Sequence, residues 1–132
     1  MIVNVASECG FTPQYGQLEE LYGHYQNELV ILGCPCDDFG HQEPGSNEEI
    51  ASFCQSMFQV TFPLSEKINI RKQPVHPLYQ WLTEKSGNGV SDSVVTWNFQ
   101  KYAISPQGEW QHVFSPETSP LDDRIIEWIE AS

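Results

Sequence analysis

Basic residues are scarce in this chain: six Lys and Arg stand against 18 Asp and Glu in 132 residues, a formal charge of -12. That balance opposes binding to polyanions, so neither nucleic acid nor an anionic membrane surface is an expected partner. Long apolar runs are missing too, and none approaches the length that spans a bilayer. The start has no basic region and cleavage site of a secretory signal, which predicts a soluble, cytoplasmic protein without membrane insertion. No linker or repeat divides the chain, and its length suits one domain over 1–132.

Cysteine is sparse as well. Cys9, Cys34, Cys36 and Cys54 are too few for a scaffold built on disulfides, which leaves redox chemistry as their expected use. A structural zinc site draws on paired clusters, but Cys34-Pro35-Cys36 has no second pair at a matching interval and the four histidines are scattered. No metal and no cofactor is expected. A C-x-x-C pair at the first helix is also missing, which ranks a general thiol–disulfide oxidoreductase low. Cys34 and Cys36 are expected to point to opposite faces of a strand end and to act as packing thiols.

What the chain does contain is one cysteine in a glycine-flanked turn, within Asn4-Val5-Ala6-Ser7-Glu8-Cys9-Gly10-Phe11-Thr12-Pro13-Gln14. The apolar run at residues 2–6 predicts a strand covered on both faces, and Thr12 and Pro13 predict the cap and first position of a helix. Cys9 then lies near the positive end of that helix, where unpaired N–H groups favour an anion and hence a thiolate. A half-buried structural cysteine is the alternative reading.

Helical spacing of Tyr15, Leu18, Leu21, Tyr22 and Tyr25 predicts an amphipathic first helix. Residues 29–32 form a second apolar run, so strand, helix and strand suggest a parallel pair with a right-handed crossover. Ser46 and Glu49 form a capping-box pattern ahead of Ile50, Phe53, Cys54, Met57 and Phe58, which share one helical face. Extended structure is expected over 60–70, a short helix over 76–84 and a strand over 94–104. A turn at 105–108 leads into a second hairpin strand at 110–114, and a last helix starts at Ser119 and Pro120. The sum is an α/β domain of three layers with a central mixed sheet.

The segment around Cys9 resembles the active-site signature of the glutathione peroxidase family. Phe39-Gly40-His41-Gln42-Glu43-Pro44-Gly45-Ser46-Asn47-Glu48-Glu49-Ile50 resembles that family's second motif, and Trp97-Asn98-Phe99 its third. The three blocks stand in the family's order across essentially the whole chain. The resemblance implies a thioredoxin-like α/β/α fold and a cysteine-dependent reduction of hydrogen peroxide or organic hydroperoxides. It assigns Cys9 as the attacking thiolate and Gln42, Trp97 and Asn98 as neutral N–H donors around it. Cys54 matches a resolving cysteine, which implies a sulfenic acid on Cys9, a Cys9–Cys54 disulfide, and recycling by thioredoxin.

Thioredoxin is expected over glutathione because the chain is so acidic and Lys101 is the only basic residue next to a catalytic motif in sequence. The chain departs from the family pattern by opening inside its first strand, where relatives carry further strands, and by placing Cys34 and Asp37-Asp38 at unusual positions. The short connection from His76 to Val94 implies a monomer. A peroxide sensor without turnover is the alternative function.

Overall fold

The computed structural model describes residues 1–132. Its sheet has strands β1 (Ile2–Val5), β2 (Leu32–Pro35), β3 (Lys101–Ile104) and β4 (Trp110–Phe114). The helices are α1 (Gln14–His24), α2 (Asn47–Phe58), α3 (Pro77–Thr83), α4 (Lys85–Asn88) and α5 (Asp123–Ala131). In the spatial order β2-β1-β3-β4, β1 runs parallel to β2 and antiparallel to β3, and β3 runs antiparallel to β4. This is the mixed sheet and thioredoxin-like α/β/α arrangement expected from the chain.

Alternation along the strands separates two cores. Val3 and Val5 of β1 and Ala103 of β3 join residues of α1, α2 and α5 on one side of the sheet. Tyr102 of β3, with Tyr79 and Leu82 of α3, belongs to the other. The α2 helix starts where the capping box predicts: Ser46 Oγ accepts the Glu49 N–H at 3.2 Å, and Glu49 Oε1 accepts the Ser46 N–H at 3.1 Å.

Several expectations shift in register. The second strand begins at Leu32 rather than Leu29, and Val30 is exposed, its carbonyl accepting from the Met1 ammonium while the Leu32 N–H donates to the Met1 carbonyl. Met57 is exposed, so the buried face of α2 reduces to Ile50 and Cys54, with Phe53 and Phe58 half-buried. The last helix starts at Asp123, where Asp122 supplies the side-chain cap. Cys34 and Cys36 lie in the same core, not on opposite faces. Positions two apart on an extended chain share a face, so the opposite placement was the wrong period.

Two connections position the site. Residues 62–64 lie along the free edge of β2, with a parallel bridge between Gly33 and Leu64. Gly33 permits this approach, since a Cβ there would sit 2.7 Å from Leu64 Cδ2. The strand expected over 94–104 is formed only from Lys101 onward. Phe99 has φ +66°, outside the extended region, so residues 97–99 form a turn at the start of β3.

Candidate active site

Cys9 sits between β1 and α1 in a run of short turns: Thr12 N–H bonds to Cys9 O at 3.0 Å and Tyr15 N–H to Thr12 O at 3.0 Å. Thr12 does not cap α1, whose N-cap is Pro13 with no side-chain bond. Its hydroxyl instead accepts the Cys9 N–H and donates to the Ala6 carbonyl, each at 2.9 Å. The turn thereby closes on the end of β1. Phe11 N–H donates to Cys9 Sγ at 3.3 Å, so a backbone dipole points at the sulfur, which is 7% exposed.

The second segment is folded back by two consecutive left-handed residues, Gly40 (φ +69°) and His41 (φ +53°). Only glycine suits position 40, where a Cβ would also come within 2.8 Å of the Trp97 ring. The fold-back lets Gln42 O accept the Glu8 N–H at 2.9 Å, one residue from Cys9. Both carboxylates preceding Phe39 are engaged locally. Asp37 Oδ1 accepts the Glu43 N–H at 3.0 Å, and Asp38 Oδ2 accepts N–H groups of Ile70, Arg71 and Lys72 at 2.8, 2.9 and 3.0 Å. Burial raises the Asp38 carboxyl, but those three donors outweigh it and hold the group below its ordinary value.

The third segment is held by Asn4, a fully buried amide in β1 that reading it as part of an apolar strand overlooked. Its Oδ1 accepts the Gln100 N–H at 3.1 Å, its Nδ2 donates to Trp97 O at 3.0 Å, and its carbonyl accepts the Phe99 N–H at 2.6 Å. One polar residue in that run is the signal that identifies it. Asn98 Nδ2 donates to Gln42 Oε1 at 3.1 Å and to Phe39 O at 3.3 Å. The Asn98 amide thus orients Gln42, whose own N–H groups and the Trp97 indole N–H have no acceptor in the protein. Trp97 packs edge-on against Phe39 at 6.2 Å and touches the core containing Cys9.

Cys9, Gln42, Trp97 and Asn98 are therefore brought to one end of the sheet by bonds between segments far apart in sequence. Cys54 shares the Cys9 core but lies on α2 at 1% exposure. Burial raises its thiol, the Glu43 charge adds to this, and the Tyr15 hydroxyl opposes it. All four cysteines are free thiols. Burial pushes Cys34 up to about 11 and Cys36 up to about 12, which keeps both protonated at neutral pH.

Two basic residues distant in sequence reach the Gln42 loop: Lys67 Nζ donates to Glu43 O at 3.0 Å, and the Arg71 guanidinium stacks over Phe39 at 4.5 Å. Lys101 does not serve the site at all. It is fully buried, and its ammonium donates to the carbonyls of Ser115, Pro116 and Thr118. Burial lowers this group to about 7, with the Glu117 charge opposing. A folded value below the unfolded one penalises the charged form, so this contribution to stability rises with pH between about 7 and 10.5. Lys101→Met is expected to cost about 2–3 kcal/mol at pH 7 by stranding three carbonyls. The variant should also lack the wild type's rise toward pH 9. Urea denaturation at the two pH values measures both, and equal slopes for the two proteins would contradict the assignment.

Fold and site define a thioredoxin-like domain with a single cysteine in the turn before its first helix, and with the Gln42 loop bonded both to that turn and to Asn98. A family model described as glutathione peroxidase matches residues 1–83. The chain is 44% identical to "Glutathione peroxidase homolog BsaA" of Bacillus subtilis (strain 168), covering 98% of this chain and 83% of that protein. It is 46% identical to "Glutathione peroxidase-like peroxiredoxin HYR1" of Saccharomyces cerevisiae, covering 98% and 82%. The crystal structure of Trgpx in apo form superposes with a TM-score of 0.68 at 36% identity, over 98% of this chain and 78% of that one. The chain belongs to the glutathione peroxidase family and is a cysteine-based peroxidase. No helix in it is long and apolar enough to cross a membrane.

Proposed function

We propose that Cys9 attacks the O–O bond of hydrogen peroxide or an organic hydroperoxide, releasing water or an alcohol and becoming a sulfenic acid. Gln42 and Trp97 donate N–H groups toward the sulfur and the leaving oxygen, and Asn98 holds Gln42 in the required orientation. The observation that supports this reading is the pair of bonds from the Glu8 N–H to the Gln42 carbonyl and from the Asn98 amide to the Gln42 side chain, which link the Gln42 loop to the cysteine turn and to the third segment. Cys54 then displaces the hydroxyl of the sulfenic acid, giving a Cys9–Cys54 disulfide and water. Residues 1–132 act as one domain, in the cytoplasm and as a monomer.

Thioredoxin is the proposed reductant of that disulfide. The charge argument against glutathione weakens locally, since Lys67 and Arg71 lie beside the Gln42 loop. The preference therefore rests on Cys54, because an intramolecular disulfide is the substrate that a dithiol protein reduces. The naming of several relatives as peroxiredoxins agrees with it. Peroxide consumption is expected to be at least about tenfold faster with thioredoxin and its reductase than with glutathione, at both low and moderate salt. Faster turnover with glutathione at every salt concentration would overturn the choice of reductant.

A further inference from the structure

We infer that Glu43 is a positioning residue for peroxide reduction: its buried carboxylate clamps the turn that presents Cys9 against the loop that presents Gln42. Glu43 is one of two charged residues at 0% exposure, and the other, Lys101, serves a distant loop. Its Oε1 accepts the Ser7 N–H at 3.1 Å, while the adjacent Gln42 carbonyl accepts the Glu8 N–H at 2.9 Å. Two successive residues of one loop are thus bonded to the two residues just before Cys9. A single bond would leave a pivot. Two bonds in tandem fix both the separation and the relative rotation of the segments, which is what a thiolate and its donors require.

Glu43 is itself anchored on either side of its α-carbon. Asp37 Oδ1 accepts its N–H at 3.0 Å, and Lys67 Nζ donates to its carbonyl at 3.0 Å. Its second carboxylate oxygen, Oε2, is buried without a partner. Burying a carboxylate this way opposes stability, and burial does raise its protonation range against the Ser7 N–H and Lys67 ammonium. A residue that only filled space here would be more stable as an apolar side chain. The contact that offsets part of that cost is the one to Ser7. Glu43 touches neither Cys9 Sγ nor the Asn98 amide among its hydrogen bonds, so it acts through backbone rather than on the reacting atoms.

The inference rests on the reading of Cys9 and Gln42 given above. Its test compares two reactions of the same sulfur in the full chain. Oxidation by hydrogen peroxide, followed by stopped-flow and by trapping the sulfenic acid, needs thiolate and donors in register; alkylation by iodoacetamide needs only an accessible thiolate. Glu43→Ala is expected to slow oxidation at least about tenfold while alkylation changes less than about twofold. Glu43→Gln keeps an oxygen for the Ser7 N–H and should retain at least about a third of the oxidation rate. Should the alanine variant not fold, Glu43→Asp, which keeps the charge but falls short of Ser7, is expected to show the same split. An unchanged oxidation rate, or oxidation and alkylation falling together, overturns the inference. A wild type whose Cys9 is not oxidised by peroxide removes both this inference and the proposed function, whereas a reactive wild type with an unaffected Asp or Ala variant removes this inference alone.

Discussion

Replacing Cys9 by serine is expected to abolish peroxide reduction, lowering the second-order rate by at least about three orders of magnitude. The attacking group must be an anion at neutral pH, and it must survive as a stable oxidised product. A serine hydroxyl does neither: it stays protonated, and oxygen forms no counterpart of the sulfenic acid. The donors cannot compensate. The Phe11 N–H at 3.3 Å from Sγ, and the Gln42 amide in its proposed role, would stabilise charge only if a polarizable nucleophile were there to develop it. Neither can the remaining thiols. Cys34 and Cys36 are buried in the opposite core and pushed up to about 11 and about 12, and burial raises Cys54 as well. Peroxide consumption by purified Cys9→Ser, with Cys36→Ser as the control expected to stay active, measures this. Retention of even a tenth of the wild-type rate would move the reaction away from Cys9.

The parts of this site that were legible in the sequence are those encoded locally. The Ser46–Glu49 box starts α2 as expected, because both halves of a capping box lie within one turn of helix. The strand–turn–helix around Cys9 was equally readable, as was the hairpin turn before Trp110. What escaped depends on distant partners. Phe99 takes φ +66° in a run that reads as strand because Asn4, 95 positions earlier, accepts its N–H and fixes the residues on either side of it. Thr12 reads as a helix cap from its neighbours, yet the end of β1 recruits its hydroxyl for the turn. Lys101 stands beside the third motif in sequence and faces the carbonyls of residues 115–118 in space.

Cys54→Ser is expected to separate the first oxidation from turnover. The burst in which Cys9 is oxidised should keep its rate within about twofold, since Cys54 bonds to none of the donors, while steady-state turnover with thioredoxin should fall at least about fiftyfold. The reason lies in access. At 1% exposure the Cys54 thiol cannot be reached by a protein reductant, and burial keeps it protonated. The proposed disulfide would therefore form and be presented through a local opening of α2, at a cost below that of global unfolding.

The two ends of α2 are unequal in a way that favours such an opening from the C-terminal side. The N-terminus has its capping box and Glu48 and Glu49 in the first turn, where the helix dipole welcomes them. The C-terminus has no basic residue in its last turn, an exposed Met57, and Gln59 rather than glycine in the left-handed cap at φ +49°. Gln59 N–H bonds to the Cys54 and Gln55 carbonyls, so releasing that cap frees the backbone at the cysteine itself. Against it stand the contacts of Tyr15 with Phe53 and Phe58, whose ring centroids lie 6.5 and 5.6 Å away. Hydrogen exchange should accordingly find the amides of residues 54–60 less protected than those of 50–53, and less protected still after one equivalent of peroxide. Turnover undiminished in Cys54→Ser, or α2 amides whose protection is indifferent to oxidation, would remove Cys54 from the cycle and leave Cys9 to be reduced directly.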